Sequence, residues 1–443
     1  MIKKVLTLTL VLCMAVALFA GCGQTAAPAE TTAPKAEVAP QEEAQPPAAE
    51  EKVTLTIMSA AQTEQNADVE KAIADAYMQA NPNVTIEFIP VASNEISKKI
   101  VQMNMAENLP DAFIMSSAIM PVANDMDILV DHSQYVTEEF TKGLSEAVYK
   151  ASMIGDKMCQ IPWFTIPMAL IYRTDWLEEA DMTTIETMDD FTAAAKAFTK
   201  DGRWGFSMVG TNNASGQSRF IQYARAFGVD EVYKDENGKW ASGLTSDKYK
   251  QALQSFVDLD LAYHTVPAGA AEAGYPEASN YFAQEQTGLM LTGSNAIGVI
   301  LSTNPALDGK IGSVPVPMQE RHSTDINAQG YAITTACKHP EVMADYLMFM
   351  TEKENAIMWG TASGRMPVTT EAAAAPEFTD VKYKGFSDAV QYANFPSEFP
   401  AMNEIWDIAG ESYNSMLGGG VSIDDAMARV EQRVADLMAE HNK

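Results

Sequence analysis

The chain has 443 residues, 47% of them hydrophobic, which is the composition of an ordinary globular protein. That length exceeds what one hydrophobic core usually organises, so we expect two domains after any export segment. The net charge of −29, from 59 acidic and 30 basic residues, argues against nucleic acid and anionic membrane surfaces as partners. Both of those partners select clustered positive charge.

Residues 1–21 have the three parts of a secretory signal peptide: basic Lys3 and Lys4, an apolar run, and small residues before Cys22. The apolar run is short for a membrane-spanning helix, which favours a cleaved signal. The segment LFAGC (18–22) resembles a bacterial lipobox, with Phe19 where leucine is preferred. The resemblance implies that Cys22 is lipidated and becomes the mature N-terminus. A plain secretory signal with an incidental cysteine is the alternative.

Residues 22–52 join that cysteine to the rest of the chain. They consist mainly of Ala, Pro, Glu and Thr and contain almost nothing that a core could bury. We therefore predict a disordered leash between the lipid anchor and the folded part, which tethers the protein to a membrane without fixing its orientation.

The folded part begins with an alternation of strands and helices. We predict strands at 53–58, 84–89 and 112–115, and helices at 68–80 and 96–106. This order is typical of a parallel sheet, on which ligands bind beyond the carboxyl ends of the strands. The rule draws attention to residues 61–64, after the first strand, and to Ser116 and Ser117, after the third.

The stretch 159–176 reads CQIPWFTIPMALIYRTDW and is largely apolar. Pro162 and Pro167 exclude a helix interior and a regular central strand, because proline lacks an N–H and restricts φ. We therefore predict a crossover between two cores. Trp163 and Phe164 would lie at that crossover, and ligand sites favour domain interfaces. An ordinary buried loop with core aromatic residues is the alternative.

Further elements follow the crossover. Thr187 is predicted to cap a helix that runs to about residue 197. The sequence also predicts strands near 204–209, 288–292, 314–317 and 331–334, and helices at 218–227, 248–261, 340–350 and 423–440. The segment DENG (235–238) predicts a hairpin turn; a calcium loop would need a glutamate at its twelfth position, which is absent.

The sequence contains no pattern that demands catalysis. Its five histidines are scattered, and HExxH, CxxC, GxSxG and phosphate-binding glycine loops are absent. Adjacent carboxylates fall at helix starts or on solvated faces. We expect no enzyme activity, no cofactor and no metal site. Cys159 and Cys337 can pair outside the cell or stay as free thiols.

A series of motifs nevertheless occurs in a recognisable order from residue 53 to the C-terminus. They are LPDAF (109–113), IPWFTIPMALIYRTDWLEEA (161–180), RWGFSM (203–208), FAQEQTGLMLTGSN (282–295), IGSVPVP (311–317), QGYAITTACKHPEVMADYLMFMTEKENAIMW (329–359), SGRMPV (363–368) and EFPAMNEIWD (398–407). Their order resembles that of the family-1 extracellular solute-binding proteins of bacterial ABC importers, a group of sugar-binding lipoproteins that includes maltodextrin-binding protein. Arg173 replaces an asparagine that is usual in the family.

The resemblance implies an α/β fold of two lobes, each a mostly parallel sheet flanked by helices, with three crossings between the lobes. Lobe one would contain residues 53–163 plus 330–367, and lobe two 164–329 plus 368–443. The implied function is capture of a carbohydrate-like small solute in the cleft by hinge closure, and delivery to the permease subunits of an importer. The implied protein is a lipid-anchored, extracytoplasmic monomer. The alternatives are a non-sugar polar solute, a ligand-sensing subunit for a signalling receptor and, remotely, a secreted glycoside hydrolase.

The resemblance also implies the ligand-binding residues. Trp406 falls where the maltodextrin binder has a sugar-stacking tryptophan, and Trp163 and Phe164 follow the proline at the crossover. The expected polar partners of the solute are Gln62, Glu64, Ser116, Asn295, Gln329 and Tyr331. Asn295 replaces a frequent stacking tryptophan, and MSSAIM (115–120) lacks the aromatic and charged residues of maltodextrin binding, so we expect a different solute. Trp204 and Trp359 are expected in the core.

Overall fold

The computed structural model describes residues 52–64, 66–116, 119–394, 397 and 399–443. The predicted signal peptide, the lipidation site at Cys22 and almost all of the leash lie outside the described residues, and so does Ser117. Within the described part of the chain, none of the helices is long and apolar enough to cross a membrane.

The strands are short, and most of their residues are buried. In chain order they are β1 (Val53–Ser59), β2 (Val84–Pro90), β3 (Ala112–Met115), β4 (Met153–Ile154), β5 (Lys157–Met158), β6 (Ile161–Thr165), β7 (Met168–Arg173), β8 (Trp204–Ser207), β9 (Tyr233–Lys234), β10 (Trp240–Ala241), β11 (Thr287–Gly293), β12 (Ile311–Pro315), β13 (Thr324–Asp325), β14 (Gln329–Ile333), β15 (Met366–Pro367) and β16 (Ala393–Asn394).

The helices surround these strands. In chain order they are α1 (Ala67–Ala80), α2 (Ile96–Met105), α3 (Met120–Asp125), α4 (Glu138–Gly143), α5 (Glu146–Ala151), α6 (Thr174–Glu179), α7 (Met188–Phe198), α8 (Ala214–Ala226), α9 (Asp247–Leu261), α10 (Tyr275–Ala283), α11 (Ala296–Thr303), α12 (Pro340–Phe349), α13 (Lys353–Ser363), α14 (Thr370–Ala373), α15 (Pro376–Thr379), α16 (Val381–Ala389), α17 (Met402–Leu417) and α18 (Ile423–His441).

Two separate sheets organise the chain into two lobes. The first sheet has six strands in the order β15-β6-β14-β3-β1-β2, and the second has four in the order β12-β7-β11-β8. Each sheet packs against its own buried apolar residues, and helix α16 lies on β12 of the second sheet. The α/β, two-lobe fold that the motifs imply is therefore confirmed.

The expectation of mostly parallel sheets is wrong in detail, because both sheets are mixed. In the first sheet β1 pairs in parallel with β2 and β3, whereas the ladders β14–β3, β14–β6 and β15–β6 are antiparallel. In the second sheet only β11–β8 is parallel. The first two crossings account for the antiparallel ladders β14–β6 and β12–β7, since a strand that leaves a lobe runs towards the other lobe and a strand that enters runs away from it.

The chain passes between the two sheets in three places. It leaves the first sheet after β6 and enters the second at β7, through Ile166 and Pro167. It returns between β12 and β14, and it leaves the first sheet again after β15. Strand β6 retains Phe164, which pairs with Gln329 and Pro367, so the first sheet extends past the predicted boundary at residue 163.

Strand β6 also corrects the expectation that Pro162 excludes an interior strand. Pro162 pairs with Gly330 of β14, where the register of the ladder shifts between Gln329 and Gly330. A Cβ on Gly330 would come within 2.0 Å of the Ile161 carbonyl oxygen, so only glycine permits this approach. The irregular register and the missing side chain accommodate a proline that offers no N–H to the ladder.

Local patterns elsewhere were predicted correctly or nearly so. Thr187 caps α7 through a reciprocal capping box with Asp190, as its spacing predicted. Helix α8 begins four residues earlier than expected, because the Asn213 side chain accepts hydrogen bonds from the backbone N–H groups of Ser215 and Gly216. The glycine in that first turn hides the helix start from a propensity argument.

His132 joins two parts of the first lobe. The backbone N–H of Ile333, in β14, donates to His132 Nε2 at 2.7 Å, so Nδ1 carries the proton and donates to the Met158 carbonyl oxygen at 2.8 Å. The side chain is fully buried, and burial lowers its pKa to about 4. The neutral imidazole is therefore a structural clamp between β14 and β5.

The His132 clamp predicts a loss of stability in mild acid. An unfolded histidine binds a proton near pH 6.5, while the folded one does so only near its pKa of about 4, so stability falls with pH between those values. We expect His132 to account for a loss of about 2 kcal/mol between pH 7 and pH 5. Urea unfolding of the wild type and His132→Asn at both pH values measures this.

Matched control measurements use His264→Asn, since His264 is exposed and has a positive φ that asparagine tolerates. That variant should keep the pH slope of the wild type, whereas His132→Asn should flatten it. Equal slopes in the wild type and His132→Asn would refute the assignment.

Candidate functional site

A polar cavity of about 260 Å³ lies at the edge of the first sheet that faces the crossings. The segments after β1, β2, β3 and β6 contribute to its wall, and so do the starts of β14 and β15. Carboxyl ends of parallel strands converge there, which is where ligands of such sheets bind. The lining residues are Ala60, Ala61, Glu64, Ser93, Ile96, Ile114, Met115, Ser116, Ile119, Phe164, Ile166, Gln329 and Arg365.

This cavity brings together four of the residues that the sequence proposed. Glu64, Ser116, Phe164 and Gln329 all line it, although they are up to 265 positions apart in the chain. Their convergence follows from the sheet order, which places β3, β14 and β6 side by side. The cavity is slightly smaller than the usual range of ligand pockets, about 300–1,000 Å³.

An ion pair supplies the charges of the cavity. Arg365 Nη2 donates to Glu64 Oε2 at 2.7 Å, and their side chains are 13% and 31% exposed. The guanidinium lies over the ring of Phe164 at 4.7 Å and that of Trp359 at 5.3 Å. Its Nε–H is buried without a hydrogen-bond partner in the described part of the chain. The aromatic faces hold the cation in place beside the cavity.

Arg365 is the functional candidate that sequence reasoning missed. It lies in the motif SGRMPV, immediately before β15 at the third crossing. Within the motif it is the one charged residue, and a cation at a predicted crossing was the only available indication. Its partner Glu64 lies 301 positions away, so no local pattern connects them.

Trp163 and Tyr331, two of the expected ligand-binding residues, are buried and do not line the cavity. Trp163 is 2% exposed and stacks on Trp359 with ring centroids 4.2 Å apart and an interplanar angle of 23°. Tyr331 is 1% exposed and lies 5.7 Å from Trp163. Both side chains pack in the first-lobe core. The expectation that Trp359 packs in the core is correct, with 1% exposure.

Phe164 reaches the cavity, but one of its faces is already covered by the Arg365 guanidinium. It also contacts Trp163 edge to face at 5.1 Å. Phe164 is the one aromatic side chain among the described residues that line the cavity. The walls offer aliphatic side chains, from Ile96, Ile114 and Ile166, beside the polar groups.

Gln62 stands behind the cavity wall instead of in it. Its amide nitrogen donates to the carboxylate of Glu70, which is fully buried in α1. Ser59 and Tyr331 donate to the same carboxylate. Burial raises the pKa of Glu70.

Polar groups of the second lobe collect at the carboxyl ends of its parallel strands. Thr211 follows β8, Ser294 follows β11, and Tyr275 begins α10. The hydroxyl oxygens of all three are buried without a hydrogen-bond partner among the described residues. Because Gly293 pairs with Met168 next to the first crossing, this edge of the second sheet borders the first lobe.

Trp406 and Asn295 belong to this second-lobe region and not to the first-lobe cavity. Trp406 is partly buried against the core, and its indole N–H has no partner in the described structure. The neighbouring Asp407 accepts from Gln217, which also donates to Asn212 after β8. Asn295 precedes α11 and lies beside Gly364 at the third crossing, where an added Cβ would meet its Cα at 3.1 Å.

The described residues include two cysteines, Cys159 and Cys337, and several groups of the kinds that bind metals. Cys159 and Cys337 are both free thiols, the first buried and the second half-buried, and burial raises the pKa of Cys337 to about 12. Within the same residues, no three histidine, cysteine or carboxylate side chains gather as a metal site would require. What the cavity offers is hydrogen bonding to a small polar solute.

Comparison with known proteins places this geometry in context. The sequence profile of a family described as bacterial extracellular solute-binding proteins matches residues 60–357. The diacetylchitobiose-binding protein DasA of Streptomyces coelicolor is 22% identical over 274 residues, 61% of this chain and 63% of that protein. A probable ABC transporter-binding protein of Deinococcus radiodurans is 23% identical over 232 residues, 50% of this chain and 54% of its own length.

Among solved structures, the maltose-bound MalE3 of T. maritima is similar, with a TM-score of 0.74 at 21% identity. The superposition covers 87% of this chain and 100% of that one. At this identity the likeness shows a shared fold. The two relatives align over little more than half of their own length, 63% and 54%.

Proposed function

This chain belongs to the bacterial extracellular solute-binding proteins, and we propose that it captures a carbohydrate-like solute between its two lobes for an ABC importer. The observation that carries the proposal is the polar cavity at the interlobe edge, with Glu64 and Arg365 side by side in its wall. A carboxylate accepts from a hydroxyl group and a guanidinium donates to one, so the pair suits a polyhydroxyl ligand. DasA and MalE3 are named for sugar ligands.

The charges favour an uncharged solute. Glu64 and Arg365 neutralise one another, and the other polar lining residues, Ser93, Ser116 and Gln329, carry no charge. The whole chain carries a net charge of −29, which repels an approaching anion. A neutral sugar is not repelled by this charge.

Binding without turnover is the second part of the proposal. Glycosidases of the usual kind use two carboxyl groups on opposite sides of the scissile bond. Glu64 is the only carboxylate in the lining of the cavity within the described residues, and its partner there is Arg365. The arrangement supports capture and release in preference to hydrolysis.

The lipobox-like LFAGC motif supports a location at the outer face of a cell membrane, with lipid on Cys22 and the predicted leash behind it. In that position the folded part meets the permease subunits of an importer. Closure of the two lobes around the solute would present a distinct surface to them, because only a ligand that touches both lobes favours the closed form.

The first test is thermal unfolding against a panel of sugars, which includes diacetylchitobiose, maltose, monosaccharides, polyols and amino acids. A ligand at a hundred times its dissociation constant stabilises the folded state by about 2.7 kcal/mol, which raises Tm clearly. We expect a shift with at least one neutral sugar, and unchanged sugar in the recovered solution. A shift with a non-sugar alone, or consumption of the sugar, would contradict the proposal.

Arg365 provides a test of the cavity itself. Arg365→Met removes a charged hydrogen-bond donor while keeping much of the apolar stem, so affinity for the sugar found in the panel should fall by about 1.5–3 kcal/mol. Isothermal titration calorimetry measures this. The control is Arg433→Met, which breaks an exposed ion pair with Glu411 and should leave affinity unchanged. Equal affinity in the wild type and Arg365→Met would remove the cavity from the binding site.

Trp406 tests the contribution of the second lobe. Trp406→Ala should weaken sugar binding by about 1–3 kcal/mol, because the ligand loses apolar and aromatic contact, while the protein still folds. Tyr233→Ala, at an exposed hairpin of the same lobe, is the matched aromatic control. Isothermal titration calorimetry measures the affinity of both variants for the sugar. Unchanged affinity in Trp406→Ala would exclude this residue from the site.

A further inference from the structure

Glu70 is a buried carboxylate that the proposed binding reaction does not use. It lies in the first turn of α1 with no exposed surface, and no cation within ion-pair distance accompanies it in the described part of the chain. A buried charge is costly unless several hydrogen bonds compensate it. The hydrogen-bond donors around Glu70 therefore indicate the role of this carboxylate.

Its hydrogen bonds come from three different segments. Ser59 Oγ, at the end of β1, lies 3.0 and 2.9 Å from the two carboxylate oxygens. Gln62 Nε2 donates from the turn that follows β1, and the hydroxyl of Tyr331 donates from β14. Glu70 thus connects the turn that lines the cavity to the strand that returns from the second lobe.

The arrangement suits an ionised carboxylate. Three donors converge on two oxygens, and a carboxylate is an acceptor alone, whereas a protonated carboxyl would bring a further hydrogen into the cluster. Burial raises the pKa of Glu70, the hydrogen bonds from Gln62, Tyr331 and Ser59 lower it, and the negative charge of Glu64 raises it further, with a net upward shift. The other titratable groups that act on it are Tyr331 and Tyr346, whose own pKa values burial holds well above 10.

The turn that Glu70 holds is the one that carries Glu64. It is a single 3-10 turn, Ala61–Thr63, in which the N–H of Thr63 donates to Ala60 and that of Glu64 donates to Ala61. One such turn has little intrinsic stability. The position of this turn beside Arg365 therefore depends on the hydrogen bonds that the side chains of the turn make.

We propose that Glu70 is a positioning residue, whose ionised carboxylate holds the turn at 60–64 against β14 and so places Glu64 beside Arg365. Its effect on solute binding rests on the proposed function, whereas its effect on the turn does not. Protonation of Glu70 weakens the hydrogen bonds from Gln62 and Tyr331, since both bonds stabilise the ionised carboxylate. The turn then loosens, and the binding surface of the first lobe loses its order.

Hydrogen–deuterium exchange of the protein without any ligand tests this directly. At pH 8, Glu70→Gln should lower the protection factors of the Thr63 and Glu64 amides about tenfold, while amides of β11 in the second sheet keep theirs. In the wild type the same two amides should lose protection as the pH falls through the pKa of Glu70, which burial places above the ordinary value of a glutamate. In Glu70→Gln their protection should not change with pH, because the titrating group is gone.

The matched control is Glu87→Gln, which removes an exposed carboxylate from β2 in the same sheet and should behave as the wild type. Where Glu70→Gln does not fold, Tyr331→Phe removes one donor and keeps the charge, with an expected loss of about threefold. Unchanged protection of the turn in these variants, or the same pH dependence in the wild type and Glu70→Gln, overturns the proposal. A loss of protection spread over both sheets also overturns it, since it would show a general structural role. None of these results bears on whether the cavity binds a sugar.

Discussion

The stack of Trp163 on Trp359 is the contact on which the rest of this structure depends. It joins β6, which leads into the first crossing, to α13, which leads into the third, at a centroid distance of 4.2 Å. Tyr331, on the strand that follows the second crossing, lies against Trp163. All three crossings therefore meet in one aromatic block in the first lobe. Large aromatic side chains bury much apolar area in few residues, so this block anchors the crossings at a common point.

The same aromatic block also determines the surface next to the cavity. Arg365 lies over Phe164 and Trp359, so the aromatic faces next to the cavity support a cation instead of a sugar ring. The described cavity lining of the first lobe otherwise offers hydrogen-bonding groups and aliphatic side chains. In the second lobe, the hydroxyls of Thr211 and Tyr275 and the indole N–H of Trp406 have no hydrogen-bond partner among the described residues. In the binding mode that we propose, a solute that contacts both sets of groups would favour closure.

Charge is used sparingly inside a strongly acidic protein. Glu64 is paired with Arg365, while Glu70 lies behind it without a cation and is held by uncharged donors from β1, its turn and β14. In the binding mode that we propose, Glu64 faces the solute and the buried Glu70 secures the turn that carries it. His132 serves a similar purpose deeper in the lobe, as a neutral imidazole between β5 and β14. Strand β14 is thus bound through the Tyr331 hydroxyl and the Ile333 backbone N–H, and it pairs with a strand on each of its edges.

The sequence by itself determined the local elements and the class of fold. Period-two and helical patterns located β1, α1, β2, α2 and β3 to within two residues, since hydrophobic spacing and caps act over a few positions. Ordered motifs led to the two-lobe family and to four residues of the cavity. Only the tertiary structure decided that Pro162 lies in an interior strand opposite Gly330, and that Trp163 stacks in the core. It alone joined Glu64 to Arg365 and Tyr331 to Glu70. These contacts link positions 301 and 261 residues apart, and no local spacing carries information about which distant segments a sheet brings together.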